Sequence, residues 1–199
     1  MKRNFFIVIM LFFSIITVRA QSNNVVIGVV PIGRMSIESG NDSNSFDFNY
    51  NPTYSASAGY EIAGRGLAKL FEVYYTRGTV EGVKVLSGDA PDAIPPYKNT
   101  GSAFGLAGHW GRIINNGHRF QVPLYFGVGL GYVDGPLNSA FEADLRAKAR
   151  MKLYIVDKVG LFVGGHARYG MNPFNNDISI FTYGVEAGLV IALNHTYVN

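Results

Sequence analysis

A chain of 199 residues with 16% charged and 14% aromatic side chains and no cysteine leaves a short list of classes. The missing cysteines exclude a disulfide framework and thiolate metal sites. The 17 basic residues exceed the 14 acidic ones only because Lys2, Arg3 and Arg19 lie near the start. Beyond residue 20 the balance is 14 to 14, so no basic tail or helix remains to bind nucleic acid.

Residues 1–20 read as a targeting signal. Lys2 and Arg3 form a positive start, residues 5–18 are almost uniformly apolar, and Val18-Arg-Ala20 precedes Gln21 as a signal-peptidase site would. The apolar run is shorter than the roughly 20 residues a spanning helix needs, which favours cleavage near Ala20–Gln21 over an uncleaved anchor. No later stretch reaches about 18 continuous apolar residues. If residues 21–199 enter a bilayer, they do so as a closed barrel, because lipid offers no partner to open backbone groups.

Period-two alternation then recurs along the chain, and alternate residues of a strand face opposite sides. The first β-rich run, 25–36, has ambiguous faces and is weakened at Pro31. In the second, Tyr50, Pro52, Tyr54, Ala56, Ala58, Tyr60 and Ile62 oppose Asn51, Thr53, Ser55, Ser57, Gly59 and Glu61. The third sets Phe71, Val73 and Tyr75 against Glu72, Tyr74 and Thr76, and the fourth sets Phe104, Leu106 and Trp110 against Ala103, Ala107 and His109. The fifth is the clearest: Phe120, Val122, Leu124, Phe126, Val128, Leu130 and Tyr132 alternate with small or polar residues over a length that crosses a bilayer.

The sixth run places Leu145, Ala147, Ala149, Met151, Leu153 and Ile155 between Asp144, Arg146, Lys148, Arg150 and Lys152. Its Ala, Lys and Arg are good helix formers. A helix at 100° per residue would nevertheless scatter the charges around its surface, whereas a strand sorts them onto one face. The seventh sets Val159, Leu161, Val163 and Tyr169 against Phe162, His166 and Arg168. The eighth sets Phe181, Tyr183, Val185, Leu189 and Ile191 against Thr182, Glu186 and Gly188. Tight turns are expected at 64–66, 114–117 and 156–158, and longer polar links at 38–47, 81–98, 135–142 and 171–177. That alternation of short and long connections puts the short turns on the periplasmic side of a barrel. The prolines of the 81–98 link keep it out of a central sheet, and a binding loop is its functional reading.

The signal, the alternating strands and aromatics such as Phe126, Tyr132 and Tyr183 together resemble the small outer-membrane β-barrel superfamily typified by outer-membrane proteins A, X and W. The resemblance covers residues 21–199 and implies an all-β fold: an eight-stranded antiparallel up-and-down transmembrane β-barrel in a Gram-negative outer membrane, preceded by a cleavable signal peptide. Members often end in an aromatic residue, whereas Tyr197 here is followed by Val198 and Asn199. A soluble calycin-like barrel is the rival fold, since alternation alone does not distinguish inside from outside.

With the apolar faces turned to lipid, the interior is expected to hold Glu61, Glu72 and Glu186, His109 and His166, and Arg146, Lys148, Arg150 and Arg168. A barrel of this size has room only for side chains, and isolated buried charges cost several kcal/mol each. The expectation is a lumenal salt-bridge network; a small polar pore is its functional rival. Some barrels of this size are lipid A deacylases or acyltransferases, but no His-x-Ser arrangement occurs at His109, His166 or His195. The histidines show no metal-ligand spacing, and Asp42, Asp89 and Asp92 are loop carboxylates that could hold calcium or simply be solvated. Gly127-Val-Gly-Leu-Gly131 lacks the helix of a dinucleotide site, so its glycines are expected to make room across the lumen. The sequence therefore predicts a structural or surface-interaction barrel with no enzymatic activity and no cofactor, surrounded by outer-membrane lipid. Its long loops would meet an extracellular ligand or an envelope protein. The alternatives are a narrow channel for small molecules and a lipid A-modifying acyl hydrolase or acyltransferase.

Overall fold

The computed structural model describes residues 22–40, 45–64, 66–87, 96–174 and 178–194. The signal segment with its cleavage point, Asp42, Asp89, Asp92, His195 and Tyr197 lie outside them. Eight strands follow in order: β1 (Ser22–Gly40), β2 (Ser45–Gly64), β3 (Leu67–Ser87), β4 (Thr100–Ile114), β5 (Phe120–Asp134), β6 (Ser139–Val156), β7 (Val159–Met171) and β8 (Ile178–Ala192). Each pairs antiparallel with its neighbours, and β1 pairs with β8 to close the ring. Closure leaves no sheet edge within the wall, the condition a bilayer imposes on strands. The start of β1 and the end of β8 meet at one rim, where the Leu193 N–H donates to the Asn23 carbonyl at 2.8 Å.

Which face looks inward decides between lipid and water. Leu124 is 45% exposed and Val163 42%, whereas Arg146, Lys148 and Lys152 are 6%, 8% and 0% exposed. The outer wall is thus a continuous apolar belt, and the ionised groups are enclosed. This is the side-chain distribution of a transmembrane barrel and the reverse of a soluble carrier. Toward the loop side of the belt Phe104 and Phe141 each lie 5.9 Å from Tyr132, ring centre to ring centre.

Two strands change face midway. In β1 the inward residues are Val26 and Val30 below, then Met35 and Ile37 above. The switch is a bulge between Val29 and Ile32 that contains Pro31, which cannot donate to a ladder. The ambiguous alternation of 25–36 is the trace of this bulge. The pairing of β2 with β3 likewise shifts between Tyr50 and Thr53, so Tyr50 is buried while Tyr54 is 63% exposed. The expectation that both tyrosines share the apolar outer face is corrected by that extra residue.

Three of the expected long links are shorter than the sequence suggested. Strand β3 runs on to Ser87 because Val83 and Val85 continue the alternation around Lys84. Strands β1 and β2 reach Gly40 and Ser45. The 135–142 link contracts to a turn closed by the Gly135 N–H on the Asn138 carbonyl at 2.9 Å, with Ser139 already in β6. The tight turns stand as expected; Asn115, Gly117 and Gly66 take positive φ of 58°, 90° and 79° there.

Candidate functional site

Strand β6 supplies one inward column, from Glu142 and Asp144 near the loop rim through Arg146, Lys148, Arg150 and Lys152 toward the terminal rim. Its partners come from across the lumen. The Lys152 ammonium donates to Glu61 at 2.5 Å, and Glu61 also accepts from Asn24 at 2.7 Å and from the Tyr125 hydroxyl. Lys148 lies 2.7 Å from Glu72 and 3.4 Å from Glu186, and Arg150 lies 2.5 Å from Glu186 and 3.4 Å from Glu72. These four groups alternate in sign around one cluster, so each charge is offset by two of the other kind. Higher up, Arg146 holds Asp144 through two bonds of 2.6 and 2.7 Å. Arg168 bridges Asp144 at 3.1 Å and Glu142.

Aromatic faces complete the enclosure. The Arg146 guanidinium stacks 3.6 Å from the centre of Tyr74, whose hydroxyl donates to Glu142 at 2.9 Å. Arg150 lies 4.6 Å over Phe162. A stacked guanidinium is weakly hydrated and tolerates burial better than an ammonium. The alternate glycines of β5 leave the space these groups fill. A Cβ on Gly127 would come within 2.6 Å of the His109 ring, and one on Gly129 within 2.5 Å of the Asp144 carboxylate; one on Gly131 would collide with Tyr74.

All nine residues expected in the lumen face it, but not all join the ion pairs. His109 stacks edge-on to Tyr125, its Nδ1 lies 3.3 Å from the Leu70 carbonyl, and its Nε2 is 4.0 Å from Glu72. His166 makes no ion pair among the described residues. It lines a cavity of about 30 Å³ with Thr182, Arg168 and Glu186, space on the order of one or two waters. The Thr182 hydroxyl and the His166 Nδ1 have no hydrogen-bond partner among the described residues. Sequence reasoning missed Glu142, which it placed in a loop, as well as Asp144, Lys152 and the phenols of Tyr74 and Tyr125. Asp144 and Lys152 carried the same alternation signal as the residues that were found.

Apolar clusters pack against the charged layer on both sides, the lower one around the Lys152–Glu61 pair. Toward the termini, Val26, Leu70, Ile113, Tyr154, Phe162 and Val190 belong to one apolar cluster. Toward the loops, Met35, Ile37, Phe48, Tyr50, Val133 and Ile180 belong to a second. Buried acids number five (Glu61, Glu72, Glu142, Asp144, Glu186) and buried bases five (Arg146, Lys148, Arg150, Lys152, Arg168) among the described residues, which leaves the interior without net charge while both histidines are neutral.

No family profile and no curated protein matches the sequence. Among solved structures, Neisserial surface protein A is similar at 14% identity over 84% of this chain and 96% of its own, with a TM-score of 0.48. Ail, the attachment invasion locus protein of Yersinia pestis, is similar at 11% identity over 85% and 99%, with a TM-score of 0.46. The outer membrane protease OmpT of Escherichia coli is similar at 10% identity over 90% and 99%, with a TM-score of 0.44. The assignment to a membrane stands on the apolar belt and the enclosed charges.

Proposed function

We propose that this chain, a small outer-membrane β-barrel, is exported with loss of residues 1–20 and acts at the cell surface as a structural and interaction protein, without enzymatic activity. The observation that carries the reading is a sheet that outlasts the barrel. Above the belt β1, β2 and β3 continue together, and β2 pairs with β3 up to Ser45 and Ser87. Pairing of β3 with β4 stops at Thr79 and Thr100. Residues 81–86 therefore keep one edge with no strand against it among the described residues. Outside the bilayer such an edge is a template for an extended segment of another chain, and Lys84 and Leu86 flank it on the exposed side.

Proline scanning of 81–86 tests this. Alternate positions point their N–H toward β2 or away from it, so prolines of the second kind leave the ladder intact. Vesicles carrying the parent chain are expected to capture an immobilised extended peptide of alternating apolar residues, and vesicles carrying those folded variants to lose that adhesion. Undiminished adhesion across every folded proline variant would remove the edge as the interaction element.

A further inference from the structure

The outer wall holds a recess that the ion-paired lumen does not explain. On β6 and β7 the directly paired residues Ala147 and Ala167, and Ala149 and Gly165, form a patch of four small outward positions. Taller side chains wall it on both sides, Leu124 and Phe126 from β5 and Tyr183 and Val185 from β8. The result is a groove of about 720 Å³ inside the apolar belt. Packing around a wall of uniform height would need no particular occupant. A recess of this size leaves its lining without contacts unless a hydrocarbon chain lies in it.

A second feature names the rest of the occupant. Arg34 lines the same groove from β1, beside its cross-strand partner Tyr183. It is exposed on the outer wall and makes no ion pair among the described residues. Above it β1 turns polar at Ser36 and Glu38, so Arg34 marks the upper limit of the belt. The next outward acid, Glu38, accepts from the Ser45 hydroxyl at 3.0 Å and the Ser179 hydroxyl at 3.4 Å. Arg34 also lies toward the rim opposite Ser22 and Ala192, which is the outer-leaflet side when the short turns are periplasmic. A cation at headgroup level above an apolar groove is complementary to a lipid with a phosphorylated head.

We infer that the β5–β8 groove and Arg34 together form a docking site for one phosphorylated, acylated glycolipid of the outer leaflet, an acyl chain in the groove and a phosphate on Arg34. The inference rests on the outer-membrane reading. Arg77 supplies an internal control, being a second exposed outward arginine at the same rim but outside the groove.

The exported chain, refolded in detergent, is titrated with lipid A and with dephosphorylated lipid A, and bound lipid is counted by native mass spectrometry. The parent chain is expected to retain one phosphorylated lipid in preference to the dephosphorylated form. Arg34→Gln is expected to weaken retention about fivefold, and Arg77→Gln to leave it unchanged. Ala167→Phe fills the groove and is expected to abolish retention, with Ala147→Leu as the milder filling variant. Equal retention of the two lipids, equal effects of Arg34→Gln and Arg77→Gln, or full retention by a folded groove-filled variant would each overturn the site. Heat-modifiable gel mobility of the parent chain separates the two readings: its absence sinks the membrane assignment, whereas its presence with unselective lipid binding sinks only the docking site.

Discussion

At Glu61 a single carboxylate serves three donors, Lys152, Asn24 and Tyr125, with the acid and the lysine both fully enclosed. Neither charge has water to fall back on, so the pair behaves as a unit. Glu61→Gln leaves the Lys152 ammonium uncompensated and is expected to cost about 3–5 kcal/mol. Glu61→Leu combined with Lys152→Met removes both charges and is expected to recover most of that loss. Urea unfolding in micelles reads both values. A double variant as unstable as the single one would mean that Glu61 is held for its hydrogen bonds to Asn24 and Tyr125 rather than for its charge.

Strand β1 shows how one residue can set the fate of a whole element. The bulge at Val29–Ile32 exchanges the faces, so Met35 and Ile37 enter the upper apolar cluster and Arg34 reaches the outer wall. Deleting Pro31 removes the extra residue and leaves Val30 inward, Ile32 outward and Arg34 outward again two places on, a regular alternation in step with β8. Met35 and Ile37 would keep their inward places, and Arg34 and Glu38 their outward ones. Refolding into the heat-modifiable form is therefore expected to survive the deletion. Pro31→Ala keeps the count and is expected to lose no more than about 1 kcal/mol. Failure of the deletion to refold would show that the bulge itself is required, and not only the facing of the residues above it.

Across the whole molecule the same alternation that greases the outer wall fills the inside. Among the described residues five enclosed acids face five enclosed bases, with an apolar cluster toward either rim. An ion entering this lumen would have to displace paired side chains and then cross the apolar plugs, each step carrying the cost of desolvated charge. Planar-bilayer recordings of the refolded chain are expected to show no stable single-channel steps. Reproducible steps would instead favour the narrow-channel alternative, with the Lys148–Glu72–Glu186–Arg150 cluster as its constriction.

Eight strands, their order and the lumenal placement of residues such as Arg146, Arg150 and Glu186 were legible in the sequence, because a strand's period of two sorts side chains by local position alone. Those residues lie in uninterrupted alternation, where one correct face implies all the others. Tyr50, Met35 and Ile37 were not legible in that way. Their orientation depends on which residue of the neighbouring strand each pairs with, and an extra residue in the ladder leaves no composition signal beyond a proline. Glu142 escaped because a Gly-Pro turn and the start of β6 share the same polar composition. Partner choice in the lumen was likewise tertiary. That Lys152 meets Glu61 while Lys148 meets Glu72 follows from ring closure and stagger, which set heights across the barrel between residues as far apart as 91 positions in the chain.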